Sequence, residues 1–287
     1  LTLNGLDGND LFDITASGDY GSDNASTIRV VGGDPSGSDV LQINDYGGQA
    51  DIFAVNPGTT PGNGDVDVNF QTVPYSGIEH IFLFASDDYG GDALTVNDDG
   101  ADNAWDVSAG TVGDRVQIAG RETIEYVNWT AVSLVNGAGT DTFGVFPTNL
   151  AQFNVSFTVN GNGGGDVLAA IGTGGTDTTS LAAGGGTQGT VTVNGVAVQF
   201  GGLDRVRVLG DDGDDSLTID EVNGLLGLAS GITFDGGSGR DRLNLVNSTV
   251  GPITPGTATY SVGPNADEGS ITHVVGLTTQ NLYFRNL

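Results

Sequence analysis

One five-residue pattern constrains this chain more than any other feature: Gly, any residue, Asp, any residue, then a large apolar residue. It is written seven times. The copies are Gly8-Asn9-Asp10-Leu11-Phe12, Gly37-Ser38-Asp39-Val40-Leu41 and Gly90-Gly91-Asp92-Ala93-Leu94, then Gly139-Thr140-Asp141-Thr142-Phe143 and Gly164-Gly165-Asp166-Val167-Leu168. Gly213-Asp214-Asp215-Ser216-Leu217 and Gly239-Arg240-Asp241-Arg242-Leu243 complete the set. Gly and Asp are turn residues, and the apolar residue two positions after the Asp starts a strand. A turn-plus-strand unit that recurs in sequence points to a repetitive architecture, because the strands of an ordinary sandwich have no reason to resemble one another at constant spacing.

The seven Asp residues are separated by 29, 53, 49, 25, 49 and 26 positions. Three gaps are near 25 and three near twice that. Degenerate copies at Gly64-Asp65-Val66-Asp67-Val68, Gly113-Asp114-Arg115-Val116 and Gly189-Thr190-Val191-Thr192-Val193 divide the long gaps. Weaker half-way copies at Asp23, Asp51, Asp177 and Asp204 suggest two turn-strand halves per repeat. Segments such as Ile28–Val31, Ile81–Phe84, Phe157–Asn160, Val206–Leu209 and Ile232–Asp235 carry β-branched or aromatic residues in strand-like runs. Helix signals are nearly absent, with a single candidate turn at Val222–Ser230. Thr173–Gly189 and Thr249–Ser270 read as longer loops. The expected fold is therefore all-β, a parallel β-solenoid (β-helix or β-roll in kind) with coils of about 25 residues, about ten to eleven in number. It is expected to form one domain over 1–287, open-ended at both termini.

The chain has 287 residues, eight Arg, no Lys and a formal charge of −28. Phosphates could not be neutralised in quantity, so nucleic acid and anionic membranes are poor partners. There is no Cys, hence no disulfide and no thiol chemistry. No apolar run is long enough to span a membrane. The chain starts at Leu1 without Met or a signal-like segment and reads as processed or excerpted from something longer.

Gly236-Gly237-Ser238-Gly239-Arg240-Asp241-Arg242-Leu243-Asn244 resembles the nonapeptide of the RTX (repeats-in-toxin) calcium-binding β-rolls at every defined position. Asn136–Gly144, Gly161–Ala169, Gly210–Thr218 and Gly5–Asp13 match with one substitution each. The wider arrangement is similar to the Gly/Asp-rich repeats of large bacterial surface and secreted proteins. The copies here are separated by other residues, whereas the family's follow one another directly. The family's ion sites would form here only where copies about 25 residues apart stack. The resemblance implies a prokaryotic, extracellular or cell-surface location and structural Ca2+.

Candidate ligands are the turn carboxylates Asp10, Asp39, Asp92, Asp141, Asp166, Asp211, Asp212, Asp214, Asp215 and Asp241. Carboxylate density peaks from Asp211 to Asp215. Calcium takes six to eight oxygens at about 2.3–2.6 Å in irregular geometry. Asp is equally a good turn residue that caps local N–H groups, so both roles are open at each position. Asp-Tyr-Gly recurs at Asp19-Tyr20-Gly21, Asp45-Tyr46-Gly47 and Asp88-Tyr89-Gly90, where tyrosines could cover coil corners or stack on sugars. Trp105, Trp129, His80 and His273 read as packing or strand residues. Asn24, Asn128, Asn154 and Asn247 open Asn-x-Ser/Thr triplets, too common in such a chain to argue from.

No catalytic signature stands out, and the chain does not read as an enzyme. The expected function is an extracellular structural or adhesive module, calcium-stabilised, stacking head-to-tail with copies of itself or with neighbouring repeats of a parent chain into a filament, surface layer or array. Two alternatives come from other classes. One is a polysaccharide-active lyase or glycosidase using Arg205, Arg207, Arg240 and Arg242 near the Asp211–Asp215 cluster. The other is a carbohydrate-binding module using the tyrosines.

Overall fold

The computed structural model describes residues 1–15, 28–33, 38–45, 47–48, 50–69, 71–86, 91–147, 150, 156–246 and 257–287. Asp23, Tyr46, Asp19-Tyr20-Gly21, Asp88-Tyr89-Gly90, Asn24, Asn154 and Asn247 lie outside them. The fold is all-β, built on two large, mostly parallel sheets, with no helix among the described residues. By internal contacts the chain divides into two compact units, Leu1–Gly137 with Leu150–Phe157, and Ala138–Asn149 with Thr158–Leu287.

The first unit carries β1 (Thr2–Asn4), β2 (Leu11–Thr15), β3 (Arg29–Val31), β4 (Val40–Asn44), β5 (Ile52–Pro57), β6 (Gly64–Val68) and β7 (Gln71–Ser76). It continues with β8 (His80–Phe84), β9 (Ala93–Asn97), β10 (Ala104–Ala109), β11 (Asp114–Ile118), β12 (Thr123–Val127) and β13 (Ala131–Val135). One sheet runs β1-β3-β7-β6-β5-β9-β13 and the other β2-β4-β8-β12-β11-β10. The chain thus alternates between sheets, and twice it lays down three consecutive strands in one of them. In β5-β6-β7 and β10-β11-β12 the chain runs ahead, then fills back through an antiparallel meander.

The second unit follows the same grammar. Its strands begin β14 (Thr142–Val145), β15 (Ser156–Asn160, joined through its last residues), β16 (Val167–Ile171), β17 (Thr178–Gly185), β18 (Gln188–Val193) and β19 (Val196–Gly201). They end β20 (Arg205–Leu209), β21 (Ser216–Asp220), β22 (Gly231–Asp235), β23 (Arg242–Val246), β24 (Thr257–Val262), β25 (Gly269–Val275) and β26 (Thr278–Arg285). The sheet orders are β15-β19-β18-β17-β21-β23 and β14-β16-β20-β22-β26-β25-β24, with meanders at β17-β18-β19 and β24-β25-β26.

The meanders change the repeat expected from sequence. Parallel neighbours are 25 to 29 residues apart on plain steps, as in Thr142↔Val167 and Leu11↔Val40. They are 38 to 50 apart where a meander intervenes, as in Thr178↔Ser216 and Ile232↔Leu282. The three degenerate copies at 64–68, 113–116 and 189–193 are therefore not stacked turns. They fall on β6, β11 and β18, the middle antiparallel strands of three meanders. A period-2 apolar pattern such as Val191/Val193 suits either strand direction, so that pattern by itself does not separate the two. The two expected loops also hold strands: β17 lies in Thr173–Gly189 and β24 in Thr249–Ser270. Val222–Ser230 forms no helix; it folds Leu225, Leu226 and Leu228 into the core.

Alternate residues of most strands are buried, Leu41 and Ile43, Ile81 and Leu83, and Val206 and Val208 being typical, whereas β1, β23, β24 and β25 bury none. Core polarity has a specific cost at Glu122. Burial pushes its carboxyl above the ordinary 4.5, against the lowering effect of a hydrogen bond from the Tyr75 hydroxyl and of the Gly62 N–H, 3.2 Å away. The folded state therefore holds this proton more tightly than the unfolded chain. The favourable contribution is present below the ordinary value and is lost as pH rises through the raised one. Glu122→Gln keeps the acceptor and removes the titration. Its melting temperature relative to wild type is expected to rise between pH 4.5 and 7; parallel pH profiles of the two proteins would refute the assignment.

Candidate metal centre

The turn carboxylates form columns. Where two strands are parallel neighbours, the backbone N–H of the Asp before one strand donates to the carboxylate before the next. Asp10 N donates to Asp39 Oδ1 (2.8 Å) and Asp39 N to Glu79 Oε2 (2.7 Å). Asp51 N donates to Asp92 Oδ1 (2.9 Å) and Asp141 N to Asp166 Oδ1 (2.9 Å). Asp177 N donates to Asp215 Oδ1, and Asp215 N to Asp241 Oδ1, each at 2.7 Å. These charge-assisted bonds satisfy a backbone donor left over where the strand begins. The apolar residue two positions later then points inward, as Leu41, Phe143, Leu168 and Leu217 do.

The glycines of the turns have a steric origin. A Cβ at Gly164 would come closer than 3.0 Å to the Gly139 carbonyl, at Gly213 to Gly175, and at Gly239 to the Gly213 carbonyl. These three motif glycines thus pack on their counterparts one level away, whereas a Cβ at Gly8 would meet nothing within 4 Å. A second glycine, the residue immediately after a strand, faces the turn carboxylate. A Cβ on Gly5, Gly32, Gly161, Gly172, Gly210 or Gly236 would lie closer than 3.0 Å to Oδ2 of Asp10, Asp39, Asp166, Asp177, Asp215 or Asp241 respectively.

The ten candidate ligands are accordingly distributed. Asp10 and Asp39 share one column, Asp141 and Asp166 a second, and Asp215 and Asp241 a third that begins at Asp177. Asp92 belongs with Asp51, not with Asp39: it precedes β9 in one sheet, while Asp39 precedes β4 in the other. Asp211, Asp212 and Asp214 are exposed on their turn, Asp214 Oδ1 taking the Arg240 N–H at 3.0 Å. Burial, with the charges of Asp177, Asp241 and Asp214 beside it, pushes the Asp215 carboxyl up.

Among the described residues, three carboxylates converge as a metal-holding group: Asp45, Asp51 and Asp92, each offering an oxygen within 4.8 Å of the others. Asp45 directly follows β4, Asp51 precedes β5 and Asp92 precedes β9. Asp45 Oδ1 accepts from Gly47 N (3.0 Å) and Oδ2 from Ser86 N (3.2 Å); Asp51 Oδ1 accepts from the Asn69 amide. Burial pushes Asp51 up to about 6, helped by the hydrogen bond and charge of Asp45 and the charge of Asp92. Burial also raises Asp92. At Asp45 burial acts upward too, but the bond shared with Asp51 and donation from Gly47 and Ser86 outweigh it and hold the carboxyl low. Three carboxylates this close need a proton or a cation among them. The residue types and spacing suit a hard cation that takes oxygen ligands.

No family model and no curated protein matches this chain. The description of the site therefore rests on its geometry. Sequence reading named Asp92 as a ligand, noted Asp51 as a half-way copy and Asp45 inside an Asp-Tyr-Gly triplet, without bringing the three together. The signal is Asp45 itself, standing directly after a strand where six other turns carry glycine. Both histidines have local partners. His273 Nδ1 lies 2.8 Å from Glu221 Oε2, whose Oε1 accepts from Gln280. His80 stacks on Phe82 with centroids 6.2 Å apart. Trp105 and Trp129 are core residues. No helix among the described residues is long and apolar enough to cross a membrane.

Proposed function

We propose that this chain is a calcium-stabilised structural or adhesive repeat module of an extracellular or cell-surface assembly, and that each unit is a stretch of β-solenoid. The observation that carries the reading is the columnar register of the turn carboxylates, in which Asp39, Glu79, Asp92, Asp166, Asp215 and Asp241 each take the backbone N–H of an equivalent turn on the neighbouring parallel strand. A column of this kind is an architectural device: it repeats, it is mostly buried and it presents no converged set of catalytic groups. The charge of −28 favours cation uptake along it.

Assembly with further copies or repeats is supported by the sheet edges. Among the described residues, β1 and β2 in the first unit, and β23 and β24 in the second, each have one neighbour. β24 is exposed throughout, with Tyr260 and Val262 facing outward. Unpaired backbone of this kind is a template for another strand. The test is sedimentation of the chain with calcium and with a chelator. Species larger than the monomer, and a higher melting temperature in calcium, are expected; a monomer with the same melting temperature in both would sink the reading.

A further inference from the structure

We propose that Asp45, Asp51 and Asp92 hold one calcium ion that fastens the end of β4 to the starts of β5 and β9, and so pins the β5-β6-β7 meander into its sheet. The inference deepens the function proposed above by naming a cation site, and it rests on that reading only for its biological purpose.

The strongest support is a comparison inside the molecule. Asp177 and Asp215 form a node of the same construction. Asp51 and Asp177 each precede the first strand of a meander, β5 and β17, and each donates its N–H to the Asp one level on. Each also accepts from an asparagine with positive φ, Asn69 (46°) or Asn194 (49°), whose Oδ1 takes the N–H of the next residue. The nodes differ in one respect. At Asp177 the residue after the preceding strand is Gly172, and the carboxylate is capped by the Thr173 N–H (2.6 Å) and hydroxyl (3.1 Å). At Asp51 the residue after the preceding strand is Asp45, and its carboxylate faces Asp51 in place of a neutral donor.

The fold does not require that third carboxylate. Six other turns place glycine at the same step, with its Cα against the turn aspartate. A like charge at a position that six sister turns keep bare, and that is Ala85 after β8 and Asn136 after β13, costs stability unless something positive sits beside it. Among the described residues no Arg holds these three carboxylates; the hydrogen-bond donors there are Gly47 N, Ser86 N, Asn69 and Asp51 N, all neutral.

A second observation points the same way. Asp92 is 1% exposed, its Oδ1 is engaged by the Asp51 N–H, and its Oδ2 is buried with no hydrogen-bond partner, as is Oδ2 of Asp39, Asp166, Asp215 and Asp241; among the described residues, only Asp92 of these five has two further carboxylates within 4.8 Å. A buried carboxylate oxygen without a partner is costly, and a cation would satisfy it. Opposite ligands of calcium lie about 4.6–5.2 Å apart, twice the metal–oxygen distance, so oxygens within 4.8 Å of one another can share one ion. Magnesium demands a near-ideal octahedron and gives up water reluctantly. Asp45 and Asp92 are already committed to backbone N–H groups and Asp51 to the Asn69 amide, which suits the more tolerant ion.

The experiment is calorimetric titration of the whole chain with calcium, and with magnesium, for wild type, Asp45→Gly and Asp45→Asn. Asp45→Gly installs the residue that six sister turns carry, and Asp45→Asn keeps the shape without the charge. Both variants are expected to lose one calcium per chain, or to bind it roughly tenfold more weakly or worse. Both should lose part of the calcium-induced rise in melting temperature, while melting in chelator no lower than wild type. Equal calcium stoichiometry and affinity in all three proteins would overturn the site, as would a wild type that binds none. Sedimentation of the same samples separates this outcome from the wider reading. Assembly without calcium binding defeats the site and spares the assembling module; a site lost with Asp45 in a chain that never assembles does the reverse.

Discussion

Replacing Trp129 with alanine is expected to lower the unfolding free energy by about 3–5 kcal/mol, the usual range for removing a fully buried large aromatic. Trp129 follows Asn128, which takes a positive φ of 67° and turns the indole inward between β12 and β13. The ring meets Phe53 of β5 edge-on, with centroids 4.9 Å apart and planes at 61°. Its Nε1–H donates to the Leu83 carbonyl of β8 at 3.3 Å. One side chain thus touches strands of both sheets in the first unit. The void left by alanine could close only if two hydrogen-bonded sheets shifted, so little relaxation is expected. Trp129→Phe separates the contributions: it keeps most of the ring, loses the N–H and should cost about 1 kcal/mol for the bond, plus the shape change. Chemical denaturation of the three proteins checks this. A Trp129→Ala cost near that of Trp129→Phe would mean that the ring's packing is not what holds the sheets.

Much of this arrangement was legible before any coordinates, and the misses are instructive. The copies Gly139/Asp141 with Gly164/Asp166, and Gly213/Asp215 with Gly239/Asp241, do stack, because two physical demands recur together. The glycine must let two backbones approach, and the Asp must cap the N–H of the level before it. A motif with two independent steric and polar reasons survives in sequence and can be read there. The meanders were missed although one was written plainly. Val193-Asn194-Gly195-Val196 is a two-residue Asn-Gly hairpin, with φ of 49° and 89° at its centre, joining β18 to β19. Read as a turn signal, it would have moved Gly189–Val193 from the column of stacked turns to an antiparallel strand. The site at Asp45, Asp51 and Asp92 was hidden for a different reason. Its members come from three segments, and Asp45 departs from the recurring glycine, so a search for likeness passes over it.

The turn glycines allow backbone strain to be separated from packing in a pair of matched substitutions. Gly164 and Gly185 both lie in the second unit with nearly the same φ, 123° and 114°, in the region that side chains other than glycine rarely enter. Gly185 closes the tip of the β17-β18 hairpin, and a Cβ there would meet nothing within 4 Å. Gly164 belongs to a stacked turn, and its Cβ would strike the Gly139 carbonyl, a backbone atom that no rotamer change can move. Gly185→Ala is therefore expected to cost about 1–3 kcal/mol of conformational strain alone. Gly164→Ala carries the same strain plus about 1–3 kcal/mol for overpacking, and the clash sits beside the bond from Asp141 N to Asp166 Oδ1. Its excess over Gly185→Ala measures how tightly successive turns are stacked. Hydrogen exchange at the Asp141 amide gives a local readout, and it should quicken in Gly164→Ala and stay unchanged in Gly185→Ala. Equal costs in the two variants would mean that neighbouring turns are not in backbone contact, and the steric origin of the repeated glycine would fall with that result.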